Sequence, residues 1–405
     1  MQASICRRSG MVSWRDWRAS WLQLNLSALN CWRRRITWPY VVSAHCVTCR
    51  KCPGSRRMPM SLPRIGVIGL GYWGKNYLRI LGDCSQATLG AIYDSDIKRV
   101  EHWQKEYPYA KACTELADLL RCSLDGVIIA TPASSHHRLV RSALEAGIPV
   151  LVEKPLAISS REAEELAMLA DRVCLPLIVD HTYLFAEPVR YLNRCLQAGI
   201  LGDVYYASSY RLNFGAVRTD CNVLWDLAVH DVALLLYLMK EEPMSVSAHC
   251  VSRVEGAPAD YATVHLNYHN HASATIQVSW FWPQKVRSLT IVGSRGAAQF
   301  NDLDTEKPIR LYLWKPSPAG SALVDDFRPC EYTMEIPELP KREPLRSLVQ
   351  HFVDCIRGIS TPVSDGWFGM RVLQILEQAQ TNSLLLREIH HGQRNIEKYS
   401  AVAMH

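Results

Sequence analysis

Residues 64–81 read RIGVIGLGYWGKNYLRIL. Ile65, Val67 and Ile68 form a short apolar run, as a buried strand requires. Gly69-Leu70-Gly71-Tyr72-Trp73-Gly74 follows, and then a helical pattern through Tyr77, Leu78 and Leu81. A GxGxxG alone is weak evidence, but here it stands between a strand and a helix, the context in which it has a physical job. Gly69 permits a tight turn, Gly71 lets the main chain approach a pyrophosphate, and Gly74 lets helix and strand pack closely. Amides at the start of the helix then face the phosphates, with Tyr72 and Trp73 in the same loop. The reading is a dinucleotide site.

The pattern repeats downstream. ATLGAIYDSD ends a second strand near Asp94, 25 residues after Gly69. A carboxylate there can accept from adenosine ribose hydroxyls and repels a 2′-phosphate, so NAD is preferred over NADP. Lys98 and Arg99 nearby argue the other way, and Asp94 could also cap the following helix. Strands at AKAC, DGVIIAT, IPVLV and PLIVDH alternate with helical stretches. Gly147 reads as a helix C-cap, and Ser159 with Glu162 as a capping box. Six strands with crossover helices predict a doubly wound parallel sheet. LVEKPL then makes sense. Glu153 and Lys154 stand at the carboxyl end of the fifth strand, where ligands bind in such sheets.

The 405 residues suggest two domains, and 48% apolar residues can build a large core. No apolar run is long enough to span a bilayer. The net charge of +6 is unevenly spread. Residues 1–57 hold 11 Lys and Arg against Asp16, whereas the remainder holds 34 basic against 38 acidic residues, a net of −4. The body gives no case for binding nucleic acid. The first 60 residues read as a basic extension, disordered or upstream of a true start at Met58 or Met60. Arg7 and Arg8 resemble an export signal, but Arg15, Asp16 and Arg18 interrupt the apolar stretch such a signal needs. His45, Cys46, Cys49 and Cys52 have a spacing that could hold a metal, although nothing else in that segment looks folded. No metal is expected in the body. Its nine cysteines are scattered singly, as in a cytoplasmic protein with reduced thiols.

Gly69–Gly74, ATPASSHH from Ala130 and EKP at Glu153–Pro155 together resemble the Gfo/Idh/MocA family, over about residues 63–390. The resemblance implies a Rossmann domain, here 61–181, and an α+β domain with a large, mostly antiparallel open sheet, here 182–395. It implies that Lys154 lies between nicotinamide and substrate, with Glu153 beside it. It implies that Thr131, Pro132 and His136 line the nicotinamide side, the alternative for His136 being an ordinary residue at a helix start. WDLAVHDVALLLYLM carries Asp226 and His230 four apart, on one helical face. The family's usual form is DxGxH, and Ala228 replaces the glycine. An aspartate usual three residues after the histidine is Ala233 here, which leaves the role of the adjacent Asp231 open. His230 is the second expected catalytic residue. Asp226 would orient its imidazole or bind a sugar hydroxyl.

Stretches of period two from 205 to 300, among them ASATIQVSWFW at 272–282, predict the second sheet. The family's open sheet face implies a homodimer or homotetramer. The stretch from Tyr210 to Leu227 resembles a subfamily of nucleotide-sugar enzymes. On that likeness Arg211, Asn213, Arg218 and Asn222 are candidates to meet the sugar or its diphosphate, alongside Asp226 and His230. The expected activity is NAD-dependent oxidation of a secondary alcohol, with C3 of a UDP-N-acetyl sugar favoured. A simple sugar or inositol is the alternative. Two other classes are a dinucleotide-binding regulator without turnover and a glycosidase that borrows and returns a hydride. The presence of both Lys154 and His230 speaks against the regulator.

Overall fold

The computed structural model describes residues 61–383, apart from 216, 219–220, 254–256 and 316–330. The expectations about the basic extension, its Cys46, Cys49 and Cys52, and the span 384–395 lie outside the described residues.

The first sheet has six parallel strands. They are β1 (Arg64–Ile68), β2 (Thr88–Tyr93), β3 (Lys111–Cys113), β4 (Gly126–Ile129), β5 (Val150–Glu153) and β6 (Leu177–Asp180), in the order β3-β2-β1-β4-β5-β6. All residues of β4, β5 and β6 are buried, as expected for parallel strands covered on both faces. The order reverses between β1 and β4, so the crevice lies where their carboxyl ends part. Helix α1 (Gly74–Gly82) leaves the glycine loop and buries Tyr77, Leu78, Ile80 and Leu81. Helix α2 (Ile97–Glu106) is capped by Asp96, which accepts from the Lys98 amide, so Asp94 is not the cap. Helices α3 (Leu116–Leu120), α4 (His136–Glu145) and α5 (Ser160–Val173) complete the crossovers. Ser159 accepts from the Glu162 amide at 3.2 Å, and Gly147 has a φ of +77°, as their capping roles require. The exposed edge of β6 is covered in part by Ser364, whose carbonyl accepts from the Val179 amide.

After helix α6 (Glu187–Gln197), the chain enters an eight-stranded sheet. Strand β7 (Val204–Phe214) lies near its centre, flanked by β11 (Phe281–Gly293) and β10 (Ser273–Ser279). Strands β8 (Ser245–Val251) and β9 (Tyr261–Asn267) extend one side. Strands β12 (Gly296–Asn301), β13 (Ile309–Trp314) and β14 (Tyr332–Glu335) extend the other. Among the described residues of this sheet, only the β7–β10 pair is parallel. The fold is therefore a doubly wound parallel sheet joined to an α+β half with a large, mostly antiparallel sheet.

Two details differ from the sequence reading. Phe281 and Trp282 begin β11 rather than ending β10. Pro283 cannot donate to a ladder, and the β11–β7 register shifts between Phe281 and Val286 to accommodate it. Strands β13 and β14 lie beyond the stretch in which strands were anticipated. Ile309 and Leu311 are buried in β13, but all four residues of β14 are exposed and give no apolar alternation.

On β7 the side chains of Ala207, Ser209 and Arg211 point inward, and those of Tyr206 and Tyr210 outward. The inward face meets helix α7 (Val229–Met239), whose Val232, Ala233, Leu234, Leu235 and Leu238 are buried. A π-helical turn, Leu224–Ala228, leads into α7. Helices α8 (Pro344–Ile356) and α9 (366–383) close the described chain.

Candidate active site

The glycine loop shows why each glycine is needed. Gly69 has a φ of +90°, and a Cβ there would stand 2.6 Å from the Ala130 carbonyl oxygen. A Cβ on Gly74 would stand 2.0 Å from the Gly69 oxygen, so helix and strand could not pack. Gly71 is different. A Cβ there would meet only the Arg99 guanidinium, at 3.5 Å. The protein itself leaves that space open. Tyr72 and Trp73 are 74% and 45% exposed, stacked edge to face, and α1 has no side-chain cap. An open cradle over uncapped helix amides fits a pyrophosphate.

Asp94 braces this loop. One carboxylate oxygen accepts from the Leu70 amide at 2.7 Å and the other from the Asp96 amide at 2.9 Å. Arg99 lies 3.5 Å from the first oxygen. Each oxygen keeps a further lone pair, so ribose hydroxyls can still be accepted.

The second cluster lies at the end of β5. The Lys154 ammonium donates to the Asp226 main-chain oxygen at 3.3 Å. Burial holds its pKa below the ordinary lysine value, although the Asp226 and Glu153 carboxylates pull the other way. His230 is pushed well below the usual histidine range by burial first, then by the positive charges of Lys154 and Arg211. Its imidazole is therefore neutral near pH 7. Its Nδ1 is buried without a hydrogen-bond partner, and Tyr183 meets the ring edge-on, 5.2 Å between centroids.

Family models match both halves of the chain. Residues 63–181 match a model described as an oxidoreductase family with an NAD-binding Rossmann fold, and residues 189–299 match a Gfo/Idh/MocA C-terminal domain. The chain belongs to the Gfo/Idh/MocA oxidoreductase family. It is an enzyme of that family, and NAD is its cofactor. A UDP-N-acetylglucosamine 3-dehydrogenase of Acidithiobacillus ferrooxidans is 27% identical over 76% of this chain and 94% of its own. A crystal form of that enzyme superposes with a TM-score of 0.70, covering 80% of this chain and 98% of the other. A D-apiose dehydrogenase of Paraburkholderia graminis is 23% identical over 77% of this chain and 85% of its own.

Several of the expected site residues make hydrogen bonds within the protein. His136 is fully buried, with its two ring nitrogens 2.8 Å from the carbonyl oxygens of Thr131 and Pro155. It ties the Thr131–Pro132 loop to the turn after Lys154 and does not face the crevice. Thr131 bonds Ser135 through its hydroxyl at 2.7 Å. Glu153 is also buried, facing Tyr77 at 3.0 Å. The Asp226 carboxylate does not hold the His230 ring. It accepts from Trp280 Nε1 at 2.9 Å and pairs with Arg218 at 3.3 Å.

Among the four proposed substrate contacts, two are committed inside the protein. Arg211 is 4% exposed and donates to Asp231 at 2.8 Å and to the Tyr183 hydroxyl at 2.9 Å. Asp231, open in role from the sequence, is thus the buried counter-ion of Arg211. Asn222 caps the π turn by accepting from the Leu224 and Trp225 amides, and donates to Gln380. Arg218 is exposed beside Asp226, and Asn213 is half-buried on β7.

Sequence reasoning missed Tyr183, Trp280, Asp180 and Tyr77. HTYLF gives no period that marks Tyr183. Trp280 sits at a strand end, where an aromatic residue reads as core. Tyr77 lies at an apolar position of α1 and reads as packing.

Proposed function

We propose that this protein oxidises a secondary alcohol of a sugar, with C3 of a UDP-N-acetyl sugar as the favoured position. The observation that carries the reading is Lys154 at the carboxyl end of β5, donating to the Asp226 main-chain oxygen at 3.3 Å, together with His230 on the helix that follows Asp226, whose buried Nδ1 has no hydrogen-bond partner. Both groups can accept the proton that an alcohol must lose as its carbon is oxidised. Bound NAD would supply the hydride acceptor. Gly69, Gly71 and Gly74 would hold its pyrophosphate and Asp94 its ribose. Lys154 would take the hydroxyl proton, and Tyr183 would keep the His230 ring in place. Arg218, which pairs with Asp226, and Asn213 would meet the sugar or its diphosphate. The Acidithiobacillus relative, aligned along nearly its whole length, supports the nucleotide-sugar class.

A simple sugar is the second reading. It is favoured by the internal use of Arg211 and Asn222, which removes two expected diphosphate contacts, and by the likeness to a D-apiose dehydrogenase. Two copies of the chain would meet through the outer face of the eight-stranded sheet. Tyr206, Val292, Ala297, Tyr312 and Met334 form one cross-strand row there, with Tyr206 48% and Met334 53% exposed. Among the described residues no helix is long and apolar enough to cross a membrane.

The test is NADH formation with NAD and a panel of UDP-sugars, free aldoses and inositols. Turnover of one UDP-N-acetyl sugar alone supports the favoured substrate. Turnover of free sugars alone supports the second reading. Saturable NAD binding with no turnover across the panel counts against both.

A further inference from the structure

Beneath Lys154 lie two carboxyl groups that the proposed reaction does not use. Glu153 and Asp180 end β5 and β6 and are register partners on these parallel strands. They are 7% and 2% exposed. Between them stands the hydroxyl of Tyr77, from the fully buried face of α1. It is 3.0 Å from Glu153 Oε1 and bonds Asp180 Oδ2. Asp180 Oδ1 accepts from the Thr182 hydroxyl.

A phenol has one hydrogen to give and two lone pairs to receive with. Tyr77 cannot donate to both carboxylates. If both were ionised, one buried oxygen would face the phenol oxygen with no hydrogen between them, beside a second negative charge on the next strand. We propose that Tyr77, Glu153 and Asp180 form a proton-holding site beneath the candidate catalytic lysine, retaining one carboxyl proton at neutral pH. Tyr77 and Thr182 give their hydrogens to Asp180, which carries the charge. Glu153 carries the proton and donates it to the Tyr77 oxygen.

The surrounding groups agree with this arrangement. Burial raises the pKa of both carboxyls, and the Asp180 charge raises that of Glu153 further. Lys154, which follows β5, is the cation facing them and pulls both down. His181, which follows β6, is pushed down to about 3 by burial and adds no charge near neutrality. Tyr77 is itself raised well above the usual phenol value, so its hydrogen stays in place. The pair therefore presents one negative charge to Lys154 instead of two, and the ammonium is less strongly favoured. Asp180, Tyr77 and Glu153 act as positioning residues, through Lys154.

The shared proton stands apart from the proposed function, and only its effect on Lys154 rests on that reading. Infrared spectra of the full chain at pH 7 test the proton directly. A protonated-carboxyl stretch is expected in the wild type and is lost in Asp180→Asn and in Glu153→Gln, since each variant keeps a single ionised carboxylate. Tyr77→Phe retains both carboxyls and should keep a displaced band, which covers the case in which a carboxyl variant fails to fold. No such band in the wild type, or a band that both carboxyl variants leave intact, overturns the proposal.

The consequence is read from the acid limb of the turnover profile. Each single substitution conserves the pair's net charge and should leave that limb in place. Asp180→Asn with Glu153→Gln removes the charge and should move it down by about one pH unit or more. A downward shift in each single variant would mean that both carboxyls are ionised, and the proposal would fall even if the dehydrogenase reading stood.

Discussion

The Lys154 ammonium donates to the main-chain oxygen of Asp226, 72 residues further along the chain, at 3.3 Å. This bond ties the carboxyl edge of the parallel sheet to the π turn that opens α7. π turns often mark functional sites, because they re-aim side chains that an α-helix would place otherwise. Here the turn sends the Asp226 carboxylate to Trp280 and Arg218 while its carbonyl faces the lysine.

Replacing Lys154 by Ala should reduce turnover by about 10²–10⁴-fold, the usual worth of a positioned acid–base group. NAD affinity, measured by titration, should stay nearly unchanged. In the alcohol-oxidising direction, wild-type turnover should rise with pH as the lysine loses its proton, with a midpoint below the ordinary lysine value. An unaltered turnover in the variant would remove Lys154 from the chemistry.

The lowered lysine pKa also has a signature in stability. Between the folded pKa and the ordinary lysine value of 10.5, the unfolded chain binds more protons, so the Lys154 contribution to stability rises with pH through that window. Lys154→Met removes the buried amine. The variant should be the more stable protein below the window, and its advantage should shrink toward pH 10.5. Denaturant titrations at several pH values measure the gap. A gap that widens with pH would contradict the lowered pKa.

Gly71 and Gly74 should respond oppositely to the same added methyl group. Gly74→Ala drives its Cβ to 2.0 Å from the Gly69 oxygen and should destabilise the fold by about 1–3 kcal/mol or more. Gly71→Ala meets only the end of Arg99, so its melting temperature should hold while NAD affinity falls about tenfold or more, a loss of roughly 1.4 kcal/mol. Equal melting losses in the two variants would show that Gly71 serves packing and not the cofactor.

These glycines were legible from sequence because their roles are local. Loop, strand and helix follow within 18 residues, and each period is set by neighbours along the chain. The same holds for the six parallel strands. What could not be read depends on strand register. Arg211 looks like a free polar residue until β7 is laid against α7, and Asn222 until the π turn meets α9. Tyr77 meets Asp180 across 103 residues, and no spacing rule joins them. Lys154 and His230 were found through family motifs. Their surroundings, including Tyr183 and Trp280, became visible only when distant segments were brought together.

Arg211 and Asp231 form an ion pair with side chains 5% and 2% exposed. Removing one partner strands a buried charge, so Arg211→Ala or Asp231→Ala should cost about 3–5 kcal/mol in denaturant unfolding. Arg211→Met with Asp231→Leu removes both charges and should recover much of that loss, because a buried pair is often replaceable by apolar residues of similar size. A stable Arg211→Ala protein with a raised KM and unchanged kcat would instead make Arg211 a substrate contact.

Asp94 should set the preference between the two dinucleotides. Its carboxylate accepts from the Leu70 amide and lies 3.5 Å from Arg99. In the wild type, that negative charge opposes a 2′-phosphate and partly neutralises Arg99, the cation beside it. Asp94→Ser keeps a small acceptor near Leu70 but releases Arg99, which also pairs with Asp96 at 3.5 Å. The ratio of kcat/KM for NADP over NAD should then rise about tenfold or more, the worth of a charge-assisted bond gained while a ribose contact is lost. Asp94→Ser with Arg99→Ala should lose NAD affinity without gaining NADP. If the single and double variants show the same ratio, Arg99 has no part in cofactor choice, and the preference rests on Asp94 alone.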